Sequence, residues 1–205
     1  PAAIRKITPT LTNQYVTLME VGGAYAHKFF PLLDFLGIPA LIITDIDTVG
    51  LQNGKKPKVA TSVHQGNGTS NATINQWFPD SVRTPSELLE AAETQAIIRQ
   101  GRYLAYQVPE QEQQACGRSF EDAFILANPN LFNLTLTGEV NRDESEATEL
   151  AKKQKKSTFA LRFAIQETEW KTPKYIQGGL IWLLAYPAIP DSGAASTEPI
   201  EAVIK

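Results

Sequence analysis

The stretch that most constrains this chain is LGIPALIITDIDTVG, residues 36–50. An apolar run from Ala40 to Ile43 stops abruptly at Asp45-Ile46-Asp47. Short apolar runs bounded by Gly and Pro read as buried strands. In open α/β sheets, ligands gather at the carboxyl ends of such strands. Side chains at i and i+2 of an extended segment share a side, so Asp45 and Asp47 can converge on one cation. The expected fold class is therefore α/β, with a central parallel sheet flanked by helices.

Neighbouring segments extend this expectation. YVTLME, Tyr15–Glu20, is rich in β-formers and bounded by Asn13 and Gly22, and it reads as a strand. Apolar residues at Phe29, Phe30, Leu32, Leu33 and Leu36 then follow helical spacing, with Pro31 either kinking the helix or marking a new first turn and Gly37 closing it. The order is strand, helix, strand, which makes parallel units. With the two strands adjacent, Glu20 and Asp45 would lie at one sheet edge, roughly 5 Å apart between strand axes. Downstream, Gly50–Asn71 reads as a long loop or a flap hairpin around Lys58–Val63, and Ser70 or Asn71 as the cap of a short helix through Trp77. Thr84-Pro85 opens a helix over Glu87–Gln100, and Arg102–Val108 is a strand. Ser119 caps a helix over Phe120–Asn128. Residues 141–149 read as an exposed helical turn or a loop, with helix from Ala151 to Glu167. A last helix follows Thr172-Pro173 and ends at Pro187. The tail 188–205, rich in Pro, Ser and Ala, reads as disordered.

Composition narrows the function. The 205 residues are 42% hydrophobic and 20% charged, with a net charge of -3. No global basic field announces nucleic acid, although basic runs stand at 55–58 and 152–156. The single cysteine, Cys116, excludes an internal disulfide framework and fits a reducing, cytoplasmic setting. No apolar run is long enough to span a bilayer, so no membrane partner is expected. The two histidines, His27 and His64, do not make a zinc site without thiols, and no P-loop is present. The chain begins at Pro1 and its sole methionine is Met19, so the expectation is a segment of a longer protein.

The chemistry of several carboxylates at one strand edge is that of hard divalent cations, which take oxygen ligands. Two such ions about 3.5–4 Å apart can activate a water and stabilise a leaving oxygen in phosphodiester cleavage. Glu121, in GRSFEDAFILANP, adds another acid at the start of a helix, where it also complements the helix dipole.

The segment VTLMEVGGAYAHKFFPLLDFLGIPALIITDIDTVG resembles the C-terminal Toprim domain of the OLD (overcoming lysogenization defect) family nucleases, in the class with Glu-Val-Gly-Gly after the first strand. The likeness continues through GTSNATINQWFP, GRSFEDAFILANP, KKSTFALRFAI and PKYIQGGLIWLL, and covers most of residues 15–185. The resemblance implies a Toprim-like core with an added helical part from about 81 to 187, so that 1–187 is one nuclease domain. It implies Asp45, Asp47 and Glu121 as metal ligands, Glu20 as a ligand or general base, and Lys156 as the basic residue at the scissile phosphate. It implies Mg²⁺ or Mn²⁺, with Ca²⁺ able to bind in their place, DNA as substrate, an N-terminal ATPase domain outside this segment, and a homo-oligomer formed through that missing part. One departure matters. Many Toprim proteins carry a second acid four residues after the glutamate, where this chain has Ala24, and Asp122 is the candidate replacement.

Two other readings stay open at this point. LIITDIDTV fits the haloacid-dehalogenase-like phosphatase pattern, with Asp45 as nucleophile, Asp47 as acid/base, and Ser62 or Ser70 with Lys156 as phosphate clamps. That pattern usually sits on the first strand and is followed by an acidic pair after another strand, whereas Glu121-Asp122 falls on an expected helix. A non-enzymatic, metal-binding regulatory module would explain the acids but leaves KKSTFA and GRSFED without a role.

Overall fold

The computed structural model describes residues 2–22, 24–51, 58–79, 84–167 and 169–186. The basic run at 55–58 lies mostly outside them, as do Pro187 and the tail 188–205. The chain forms α1 (Ala2–Ile7), α2 (Phe30–Leu36), β1 (Ala40–Ile43), β2 (Thr48–Leu51), β3 (Lys58–Ala60) and β4 (Gly68–Thr69). There follow α3 (Ala72–Trp77), α4 (Pro85–Glu93), β5 (Ile98–Arg99), β6 (Arg102–Ala105), α5 (Phe120–Ala127), α6 (Val140–Lys152), α7 (Lys156–Leu161) and α8 (Lys174–Ala185). The expected α/β class is present, with one parallel strand pair.

Two small sheets organise the first half. One has the order β1-β6-β5, with β1 parallel to β6 in the register Ala40↔Arg102 through Ile43↔Ala105. The other, β3-β2-β4, is antiparallel; β3 pairs with the upstream β2, and a 3-10 turn, Val63–Gln65, follows it. The local signals act as their chemistry requires. Pro31 occupies the first turn of α2, and Gly37 ends it at φ 61°, where its N–H donates to the Leu33 carbonyl. Asn71 caps α3, Thr84 and Glu87 form a capping box on α4, and Ser119 and Asp122 form another on α5.

One expected strand is absent. Residues 15–20 belong to neither sheet, and Tyr15 (99% exposed), Leu18 (63%) and Met19 (59%) face solvent. The parallel neighbour of β1 is β6, which comes 62 positions later rather than before it. Strand propensity is realised only where a ladder and a packed face receive it, and here β6 supplies both. Other boundaries shift too. Residues 141–149 are part of the continuous helix α6, whereas the helix expected over 151–167 breaks at residues 153–155 and ends in a π-helical segment, Arg162–Gln166. The helix expected to Gln100 stops at Glu93, before the β5–β6 hairpin.

Three apolar cores meet around the carboxyl end of β1. Ile42, Ile46, Ile74, Leu88, Leu104 and Tyr106 pack between the first sheet and α3 and α4. Phe124, Phe132, Phe159 and Phe163 fill the helical half, with Phe124 and Phe163 centroids 4.6 Å apart. Leu11, Ala105, Ala123, Tyr175 and Leu180 join α1, β6, α5 and α8. Gly179 lets α8 lie against β1, since a Cβ there would fall 2.4 Å from Leu41 Cδ1.

Candidate functional site

The Asp-x-Asp turn is clamped through its backbone. The Asp45 carbonyl accepts from Asn71 Nδ2 at 2.7 Å. The Ile46 N–H donates to Gln107 Oε1 at 2.6 Å, and the Ile46 carbonyl accepts from Thr69 Oγ1 at 2.6 Å. The Asp47 N–H donates to the Arg118 carbonyl at 3.4 Å, and its carbonyl accepts from the Ser70 N–H at 3.0 Å. Thus each backbone group from the Asp45 carbonyl to the Asp47 carbonyl is paired, as buried or half-buried polar groups require. Asp47 itself sits in the left-handed region, φ 48°, a conformation that Asp tolerates better than most residues and that recurs at functional turns.

Asp45 is half-buried and Asp47 half-exposed. Burial pushes the Asp45 carboxyl above the ordinary carboxylate range, and the charges of Asp47 and Glu121 push the same way, against hydrogen bonds from Gln107 and the Phe120 backbone. Asp47 and Glu121 thus stand within electrostatic reach of Asp45, near the end of β1 and the start of α5. Gly117 lets the chain before α5 lie against that helix, because a Cβ there would fall 2.3 Å from the Ala123 nitrogen.

Asp122 is committed elsewhere. It is buried, and its Oδ2 accepts from the backbone N–H groups of Arg118 and Ser119 at 3.1 and 3.0 Å. Its carboxylate caps α5 rather than replacing the acid missing at Ala24. Glu20 is exposed in the segment outside the sheets, so no strand pairing carries it to Asp45. Lys156 is the first residue of α7, and its side chain lies outside the described part of the structure. His27 is half-buried, with Nδ1 3.1 Å from the Ala24 carbonyl and its backbone N–H donating to Thr73 Oγ1 at 3.2 Å. His64 is paired with Glu144.

Two residues at the site escaped the sequence reading. Arg118 places Nη2 3.5 Å from Asp47 Oδ1 and donates from Nε to the Thr48 carbonyl at 3.0 Å, setting one cation against the acids. Gln107, fully buried, donates from Nε2 to Asp45 Oδ1 at 2.6 Å. The usable signal for Gln107 was strand register, since the β1–β6 offset sets Asp45 level with it. The oxygen-only donor set of Asp45, Asp47 and Glu121 fits a hard divalent cation. Among the described residues, however, no three His, Cys, Asp or Glu side chains are drawn together closely enough to hold an ion.

A strand ending in a clamped Asp-x-Asp, beside an acidic helix start in an α/β fold, is the arrangement of a Toprim-like domain. The family model of the overcoming lysogenization defect protein-like Toprim domain matches residues 1–47, a segment that ends on Asp47. These residues are similar to an OLD-like Toprim domain, and the mixed α/β fold with its parallel pair is Toprim-like. The chain is also similar to Endonuclease GajA of Bacillus cereus (strain HuB5-5), with 31% identity over 196 residues, covering 84% of this chain. It spans 28% of that relative's length. No solved structure matches the chain significantly.

Proposed function

We propose that this chain is the nuclease part of a larger ATPase-nuclease and hydrolyses phosphodiester bonds in DNA with a divalent cation, Mg²⁺ or Mn²⁺. The observation that carries this reading is the half-buried Asp45 carboxyl at the end of β1, within reach of the charges of Asp47 and Glu121, in a segment similar to an OLD-like Toprim domain. The similarity to a protein named as an endonuclease supports it.

Asp45, Asp47 and Glu121 would hold the cation, with Glu20 as a further ligand or general base. When bound, the cation supplies positive charge for a phosphoryl oxygen and lowers the pKa of water. The chain's own residues do the rest. The paired turn backbone keeps the two aspartates in place, which reduces reorganisation during the reaction. Arg118, already at Asp47, can turn part of its guanidinium to a phosphate, for which its planar fork is suited. Lys156 would neutralise charge at the scissile phosphate. The domain would span 1–187, with the helical part from about 81, and the preceding part of the longer protein would supply ATP hydrolysis and oligomer contacts.

The test is cleavage of supercoiled plasmid by the purified chain with Mg²⁺ or Mn²⁺, with and without chelator. Metal-dependent nicking or linearisation is expected. Covalent phosphate on Asp45, with no plasmid cleavage under any metal condition, would instead favour phosphatase chemistry.

A further inference from the structure

The parallel ladder between β1 and β6 continues beyond the last residues of the strands, with the Thr44 N–H donating to the Ala105 carbonyl at 3.0 Å. The register Ile43↔Ala105 then sets Asp45 level with Gln107. At that level the Gln107 side chain takes over from the backbone. Its Oε1 accepts the Ile46 N–H, and its Nε2 donates to Asp45 Oδ1, each at 2.6 Å. Tyr175 Oη lies 3.4 Å from the same Nε2.

The orientation of this amide is determined by chemistry. A backbone N–H can only donate, so the Gln107 oxygen must face Ile46 and the NH₂ must face Asp45. The residue is fully buried, and Tyr175 beside it is buried as well, so neither half of the amide can exchange its partner for bulk water without cost. Asp45 Oδ1 is therefore held as an acceptor, and rotation of the carboxylate is restrained, with the Phe120 backbone N–H as a second hydrogen-bond donor to it.

We propose that Gln107 is the positioning residue for Asp45, orienting its carboxylate toward a divalent cation through the amide that Ile46 locks. The proposal rests on reading Asp45 as a cation ligand. Partners that orient a ligating carboxylate typically change metal affinity 10–100-fold when removed. Gln107 touches no reacting group, so its effect passes through Asp45.

The experiment is calorimetric titration of the chain with Mn²⁺ alone, from pH 6 to 8, for wild type, Gln107→Glu and Gln107→Met, with a thermal melt of each metal-free protein. Gln107→Glu keeps the Ile46 bond but faces Asp45 with an acceptor unless it carries a proton. Its Mn²⁺ affinity should fall about 10–100-fold at pH 8, and the deficit relative to wild type should shrink toward pH 6. Gln107→Met, of similar volume and unable to donate, should show a pH-independent loss of about the same size, and it serves alone should the Glu variant fail to fold. Unchanged or tighter Mn²⁺ binding in folded variants, beside a binding wild type, overturns the role of Gln107. A wild type that binds no Mn²⁺ overturns the ligand reading of Asp45 itself, and the two failures are thereby distinguished.

Discussion

His64 Nδ1 stands 2.5 Å from Glu144 Oε1, and the pair ties the turn between β3 and β4 to helix α6. The Glu144 carboxylate is buried and also accepts the His64 and Cys116 backbone N–H groups, at 3.2 and 3.0 Å. The hydrogen bond to Glu144 raises the His64 pKa above its ordinary 6.5, against a smaller effect of burial. A raised folded-state value means that the stabilisation is fully present below pH 6.5 and is lost as pH rises through the folded value. The difference in melting temperature between wild type and His64→Gln should therefore be largest below pH 6.5 and should shrink above it. Solvent screens the exposed side of the imidazole, so the effect is at most about 1 kcal/mol, or about 2–4 °C. A difference that grows with pH would contradict the assignment.

Asp45→Asn should separate stability from activity. Asp45 is raised by burial first, then by the charges of Asp47 and Glu121. An acid raised in the folded state destabilises the fold once pH exceeds the unfolded value, because the folded form resists ionisation. Asparagine keeps an oxygen for Gln107 Nε2 and removes the charge. At neutral pH without metal the variant should melt higher, by about 2–4 °C for a gain on the order of 1 kcal/mol. Plasmid cleavage should fall at least ~100-fold. Near-normal nicking would sink the assignment of Asp45.

Asn71 should be among the costliest polar positions. Its Oδ1 caps α3 through the Thr73 and Ile74 N–H groups, while Nδ2 reaches Thr44 Oγ1 and the Asp45 carbonyl, both at 2.7 Å. Asn71→Ala removes the cap and leaves buried groups unpaired, for a loss of about 2–4 kcal/mol in urea denaturation. Asn71→Asp keeps the cap and loses the donors, so it should fall between the two. A loss below about 1 kcal/mol for alanine would show that water takes over these contacts.

Lys156 should part from its neighbours in kinetics. Lys152 is exposed and paired with Glu149 at 2.7 Å on α6, and Lys153 follows that helix's last residue. Lys152→Ala and Lys153→Ala should weaken DNA binding modestly, with a salt dependence reduced by about one phosphate contact each. Lys156→Ala should keep Mn²⁺ and DNA binding and lose cleavage about 100-fold or more. Equal, mild effects for all three would return Lys156 to the role of a solvated charge.

What the sequence determined by itself is mostly local. Gly37, Asn71, Thr84 and Ser119 punctuate helices through contacts two to four residues away, and the apolar run before Asp45 was legible as a strand, although the burial expected of it is reached only by Ile42, with Ile43 49% exposed. Asp-x-Asp was visible as a pattern after an apolar run, but β1 ends at Ile43 and Asp47 lies in the left-handed region, so the turn and not strand periodicity sets where the two carboxylates stand. Tertiary structure decided what depended on distant segments. Tyr15–Glu20 has strand composition, but β6 is the parallel neighbour that β1 receives, so Glu20 is not carried to Asp45 by a ladder. Asp122 looked like a spare ligand, and its burial against the Arg118 and Ser119 N–H groups made it a cap. Gln107, an ordinary polar residue after a strand, became the partner of Asp45 through a pairing across 62 positions. Register, burial and hydrogen-bond satisfaction are properties of the packed chain, and no window of neighbouring residues contains them.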